Sequence, residues 1–401
     1  MKTIALLGAF DTKGSEYGFV KECIESRGHR TLLIDTGVLD SPLLQADVSR
    51  GQVAAAAGAD LAELVAKKDR GEAVAVMSKG AAVVLTQLYA QHKFDGVIAL
   101  GGTGGTSVAC TAMRALPLGV PKVMVSTCAG GDVSGYVGVT DIIMIPSIVD
   151  VAGINKISRR VFAQAAGAIC GLVEAVVPAG ADKPLIAASM FGNSTPAVNL
   201  AKGILEKAGY EVLVFHCTGN GGRTMESLIE SGAISGVLDL TTTEWADELV
   251  GGVFSAGPTR LEAAARNGIP AIVTPSCLDM VNFWAPDTVP AKFKGRTFYP
   301  HNPNVTLMRT NEEECRQLGE IIASKLNLSK GLVTLLIPLK GVSMIDLEGK
   351  AFYLPKANAA LFEALKKNLR KDIPVIEMDC DVNNPAFATQ CAQTLLASMK
   401  K

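Results

Sequence analysis

The sequence predicts an α/β protein made of two Rossmann-like, doubly wound parallel-sheet subdomains flanking a cleft, for three reasons. Short apolar runs alternate with helical patterns along the chain, the order that builds parallel sheets. Glycine-rich stretches follow several of these runs, where such folds place their ligand loops. The two halves also carry matching segments in the same order.

Residues 3–7 read as the first strand. Its apolar run of about six residues, with Asp11 and Lys13 close behind, is too short for a signal-peptide core. A helical pattern over 15–26 ends at Gly28, and 30–34 makes the next strand, completing a βαβ unit. The Ala-rich segment 53–68 and the segment 79–92 read as helices, 97–100 as a buried strand and 122–125 as another strand. An amphipathic run covers 156–177, and PAGADKP at 178–184 has the composition of a linker. The expected division is an N-terminal nucleotide-binding domain, 1–178, and a C-terminal Rossmann-like domain, 179–401. The second half opens with a strand at 185–189, a helix over 195–208 and a strand at 211–215. Helices over 312–326, 355–368 and 385–400, with strands at 332–338 and 374–378, complete it.

The internal resemblance is segment by segment. TLLIDTG (31–37) parallels VLVFHCTG (212–219), DGVIALGG (95–102) parallels SGVLDLTT (235–242), and GVPKVMVSTC (119–128) parallels GIPAIVTPSC (268–277). Two copies of one α/β unit are therefore expected, with ligands at the carboxyl ends of their strands.

Composition narrows the function. Lys+Arg 38 against Asp+Glu 39 gives a net charge of −1, without the basic footprint of a nucleic-acid or anionic-membrane binder. Aromatics at 5% disfavour a stacking platform for single strands. Nine scattered cysteines with no CxxC spacing point to a reducing compartment and away from a zinc ribbon. No apolar run reaches the roughly 18 residues of a membrane span. A cytoplasmic protein is expected, with no nucleic-acid or membrane partner. The apolar segment 142–148 suits either a core strand or a subunit interface, so a homo-oligomer is also expected.

Three loops of the first half could hold phosphate. Gly101, Gly102, Thr103, Gly104, Gly105 and Thr106 follow a buried strand and lead into a helix. Backbone N–H groups and the helix dipole can meet an anion there, and the threonines add hydroxyl donors. The spacing resembles the GGDGT-type loop of small-molecule and NAD kinases, with Thr103 at the acidic position. A tight turn without a ligand is the alternative. Asp11, Thr12, Lys13 and Gly14 end the first strand, where Lys13 could offset charge, or Thr12 or Ser15 could simply cap a helix. Ser126, Thr127, Gly130 and Gly131 follow a third strand. Asp35 stands where such folds often grip a ribose, or in a solvent-facing turn.

The second half has different chemistry. His216 lies beside a glycine nest, and Glu244 and Asp247 share a helix face just after a strand. They could do acid–base work or hold a divalent ion, or form a solvated first turn. Asp279 lies in an apolar loop, and His301 and Arg309 in a segment rich in Pro and Asn. Either histidine could act as a general base, and Arg309 could pair with a substrate acid.

AFDTKGSE, GGTGGTSVA, STCAGGDVSGYVGVTDI, ASMFGNSTPAV, TGNGGRTMESLI, LDLTTTEWADELVGGV and HNPNVTLMRTNEEE together resemble the Tm-like ATP-binding family. It is a bacterial family of unassigned function whose plant members carry the same region fused to a barrel domain. The resemblance implies two Rossmann-like subdomains and an ATP site at loops 11–14, 101–106 and 126–131, with Mg2+ as a companion of the nucleotide. It also suggests a separate barrel-domain protein as a partner. The expected function is ATP binding by an enzyme acting on a small polar substrate at the interdomain cleft, where phosphoryl transfer would fit. A non-catalytic nucleotide-gated regulatory protein, and a nucleotide-independent hydrolase or lyase centred on His216 and His301, are the alternatives.

Overall fold

The structure, a computed structural model, describes residues 1–178, 180 and 182–400. Ala179, Ala181 and Lys401 lie outside the described residues, and with them part of the expected 178–184 linker. The chain divides into two compact units, Met1–Ala179 and Gly180–Lys401.

The first unit contains β1 (Thr3–Gly8), β2 (Arg30–Asp35), β3 (Gly96–Gly101), β4 (Lys122–Ser126) and β5 (Ile143–Pro146). They form one sheet in the order β2-β1-β3-β4-β5, every pair parallel. Side chains alternate between its faces, and both faces are apolar, as a parallel sheet covered by helices on both sides requires. Ala5, Leu7, Val97, Ala99 and Met124 pack with the helices Arg50–Ala56, Arg70–Ala90 and Thr103–Arg114. Ile4, Leu6, Ile98, Leu100, Val123 and Val125 face the helices Phe10–Glu25 and Lys156–Glu174. By length and composition alone, Arg70–Ala90 is long and apolar enough to cross a membrane. Here its Met77, Ala81, Val84 and Leu85 are buried in the first of these layers.

The second unit contains β6 (Leu185–Met190), β7 (Glu211–His216), β8 (Ile234–Asp239), β9 (Ala271–Val273), β10 (Met280–Phe283), β11 (Phe298–Asn302), β12 (Val305–Arg309), β13 (Val333–Pro338) and β14 (Val375–Met378). Six of them make a parallel sheet in the order β14-β13-β9-β8-β6-β7, and β10-β12-β11 form a separate antiparallel sheet. The sequence repeat maps onto this topology strand for strand: β2-β1-β3-β4 in the first sheet corresponds to β7-β6-β8-β9 in the second.

Several elements differ from the sequence expectation, each for a physical reason. The first helix begins at Phe10, so residues 11–14 form its first turn, broken at Lys13 (φ −131°, ψ 21°). No local side chain caps it; Asp35 Oδ1, at the end of β2, accepts the Phe10 N–H at 3.0 Å. A cap supplied from another strand leaves no local signal. The expected helix 53–68 is two helices, Arg50–Ala56 and Leu61–Lys67, because Gly58 turns at φ +81° and Asp60 caps the second. The segments around Asp279 and His301, expected as loops, supply β10 and β11.

Tyr17 ties the first helix to two strands. Its buried hydroxyl lies 2.6 Å from the Leu7 carbonyl oxygen and accepts the Leu100 N–H at 2.7 Å. A Cβ at Gly8 would lie 2.0 Å from the Tyr17 hydroxyl oxygen, so the residue at this place must be glycine for the ring to fit. Tyr17→Phe strands the Leu100 N–H in the core. The variant is expected to lose about 1–3 kcal/mol of stability, read by urea denaturation followed by circular dichroism; an unchanged midpoint would show that the lock is dispensable.

Candidate functional site

The carboxyl ends of β1, β3 and β4 and the segment after β2 line a cleft of about 920 Å3 in the first unit. Asp11, Thr12, Lys13, Gly102, Thr103, Gly104, Gly105 and Thr127 reach it from three of the expected loops. The helix Thr103–Arg114 starts here with Gly102 at its N-cap and no side-chain cap. Its first intrahelical bond runs from Thr106 N–H to the Gly102 carbonyl at 2.8 Å. The N–H groups of Thr103, Gly104 and Gly105 thus precede any intrahelical acceptor and concentrate positive potential in the cleft.

The remaining expected residues stand behind this surface and shape it. A Cβ at Gly101 would lie 3.0 Å from Gly105 Cα, so any side chain there would press on the turn. Thr106 and Ser126 are buried and share a 2.7 Å hydroxyl hydrogen bond, and Ser126 Oγ accepts the Cys128 N–H at 2.9 Å. Gly14 packs against Leu43, while Gly130 and Gly131 continue the turn after β4, away from the cleft lining. Lys13 lines the cleft, but its ammonium donates to the Val151 carbonyl and fastens the segment after β5. Asp35 is buried, and its Oδ1 accepts from Phe10 N–H and from Gly37 N–H at 2.8 Å. Burial raises its pKa against these two donors. It braces two backbone turns and does not line the cleft.

Arg70 was not visible as a site residue in the sequence. It is exposed at the first position of the helix Arg70–Ala90, lines the cleft, and its Nη2 would lie 3.7 Å from a Cβ at Gly104. Asp69 before it reads only as a helix cap, and the approach to Gly104 across 34 residues leaves no local pattern.

In the second unit the expected residues do not converge on one solvent-facing site. His216 is exposed at the end of β7 and stacks on Phe191 with ring centroids 5.4 Å apart. His301 is exposed on β11. Glu244, Asp247 and Asp279 are fully buried, and Arg309 nearly so. Glu244 Oε1 accepts from Gly219 N–H (2.9 Å) and Gly222 N–H (3.0 Å), and Oε2 accepts from Arg260 Nε at 2.8 Å. Arg260 also forks onto Asp239 with two 2.6 Å bonds and reaches Glu226 at 3.0 Å. Burial raises the Glu244 pKa while Arg260 opposes it; burial works against the charge on Arg260, but the Asp239 carboxylate keeps it firmly protonated. The signal that could have found this cluster is Asp239 itself, an acid inside the apolar run GVLDL, which needs a buried partner. Arg309 donates to Asn358 (2.8 Å), Thr310 (2.8 Å) and Asp346 (3.2 Å). Asp279 accepts from Ser343 at 2.7 Å, and burial with the nearby Asp346 charge raises its pKa to about 7. The acidic turn at 244–248, expected to be solvated or catalytic, is instead an interior brace at its first four residues.

Asp247 accepts from Asn282 N–H (2.8 Å) and Asn282 Nδ2 (2.6 Å), yet burial raises its pKa to about 7. The native state therefore holds a proton that the unfolded chain releases near pH 4. The contribution of Asp247 to stability is largest below about pH 4, declines as pH rises to about 7, and is constant above that. Asp247→Asn removes that titration. The fall in thermal midpoint between about pH 5 and pH 8 should be smaller in the variant than in the wild type; equal slopes would overturn the assignment.

Family models match both units: the N-terminal domain of uncharacterised protein family UPF0261 over residues 2–178, and its C-terminal domain over residues 183–399. A UPF0261 protein of Clostridium tetani is 51% identical over 402 residues, covering 100% of both chains. UPF0261 protein RA0729 of Rhizobium meliloti is 47% identical, covering 97% of each chain. The ToMV resistance protein Tm-1(GCR237) of Solanum lycopersicum is 40% identical over 82% of this chain and 44% of its own length.

Proposed function

The chain belongs to the uncharacterised UPF0261 family, and from that premise we propose that its first unit binds a phosphorylated small molecule, a nucleoside polyphosphate such as ATP. One observation carries the reading: an uncapped helix N-terminus opens onto a cleft of about 920 Å3 with the Arg70 guanidinium beside it. Aligned N–H donors attract an anion, and a guanidinium adds charge-assisted bonds to phosphate oxygens. Thr12, Thr103 and Thr127 bring hydroxyl groups to the same walls, while Leu64, Val65 and Val74 supply apolar surface for the rest of a ligand.

Magnesium would accompany a triphosphate. Among the described residues no group of three or more His, Cys, Asp or Glu side chains could hold a metal ion. An ion bound with the nucleotide would be held mainly by phosphate oxygens and water. The second unit's buried acids are assigned to the interior of that unit, and the binding function rests on the first.

Isothermal titration with ATP and with inorganic tripolyphosphate tests the proposal. Both are expected to bind the wild type. Arg70→Ala should weaken both by about tenfold, the scale of one charge-assisted contact. Gly104→Asp should weaken them further, because it sets a carboxylate at the helix N-terminus. If neither compound binds the wild type, or if both variants bind like it, the site is elsewhere.

A further inference from the structure

Asp11 has the one carboxylate in the cleft whose environment asks for a ligand. Its side chain is 1% exposed and the residue lines the cleft. Oδ2 accepts the Leu39 N–H at 2.8 Å and lies 3.9 Å from Arg50 Nη1. Oδ1 is buried and has no hydrogen-bond partner. The backbone of Gly37 passes directly over the carboxylate, since a Cβ there would lie 2.5 Å from Asp11 Cγ. Leu39 and Gly37 thus hold the group still while one acceptor stays unused. A buried acceptor without a donor is costly, and a donor brought by a ligand removes that cost.

The position of Asp11 tells which part of a ligand it meets. β1 and β3 are hydrogen-bonded neighbours, so Asp11, in the first turn after β1, and the helix start after β3 follow adjacent strand ends and line the same cleft. In a nucleoside phosphate, the group next to the phosphates is the sugar, and its hydroxyls are donors. Asp35, at the end of β2, commits its Oδ1 to Phe10 N–H and Gly37 N–H and does not line the cleft.

We infer that Asp11 Oδ1, and not Asp35, accepts a hydrogen bond from a sugar hydroxyl of the phosphorylated ligand, which makes the site selective for a polyhydroxylated sugar phosphate over bare polyphosphate. The inference rests on the phosphate-binding reading of the same cleft and adds the group that the ligand must carry.

The test is a double comparison by titration. ATP, 2′,3′-dideoxy-ATP and tripolyphosphate are each titrated into the wild type and Asp11→Asn, in EDTA and again in magnesium. The wild type is expected to bind ATP about tenfold more tightly than the dideoxy compound, and the variant to bind the two alike. Tripolyphosphate should bind the variant at least as tightly as the wild type, because a negative charge has left the cleft, which also reports that the variant is folded. An equal gain of ATP and dideoxy-ATP affinity in the variant, or a preference present only in magnesium, would assign Asp11 to charge or metal and overturn the inference. An unchanged preference in the variant would overturn it as well. In these three outcomes the phosphate reading stands, because tripolyphosphate still binds. Absence of binding by all three compounds to the wild type would remove that reading and the inference with it.

Discussion

Each parallel sheet in this protein is buried on both faces, and most of its chemistry follows from that constraint. Ile4, Leu6 and Ile98 point to one helix layer, and Ala5, Leu7 and Val97 to the other. A strand covered on both sides has nowhere to show a polar side chain except at its ends. At the carboxyl ends, the next helix must start, and a helix start carries unsatisfied N–H groups. Those donors have to be met by water, a side chain or a ligand, and the two units meet them differently.

The repeat makes that difference direct. β3 and β8 occupy equivalent places in their sheets, and two residues beyond the aligned segments the same offset sets Gly104 of the first unit against Glu244 of the second. Gly104 leaves its helix start open to a cleft. Glu244 puts a carboxylate into the protein, where Arg260 and the N–H groups of Gly219 and Gly222 enclose it. In the first unit the helix start faces a cleft, while in the second the residue at the equivalent position turns its carboxylate inward, onto the helix start after β7. The internal charges in the second unit are therefore interdependent: removing Arg260 would leave three buried acids without their shared partner.

The strands were legible because four to six consecutive apolar residues between glycine-rich turns have few other uses. The C-terminal helices Glu312–Leu326 and Pro355–Asn368 begin and end where their caps, prolines and periodicity place them. The phosphate-type loop at 101–106 was legible for the same local reason. Much of the rest was not. Phe10 begins a helix because Asp35 caps it from a neighbouring strand, and no pattern within a few residues records that bond. Arg70 reaches Gly104 only after the helix Arg70–Ala90 has docked on the sheet.

By itself, then, the sequence determined the fold class, the two-unit repeat and the loops that end the strands. These depend on apolar periodicity and on glycine, both short-range properties of the chain. Tertiary structure decided which polar groups remain free. The sequence offered Asp11, Asp35, Glu244, Asp247 and Asp279 as acids of similar standing. Folding gave Asp35 to two backbone N–H groups, Glu244 to Arg260 and Asp247 to Asn282; it left an unused oxygen on Asp279, deep in the second unit, and on Asp11, at the wall of the cleft. A hydrogen bond is set by distance in space, and residues far apart in sequence become neighbours only when the sheet is assembled.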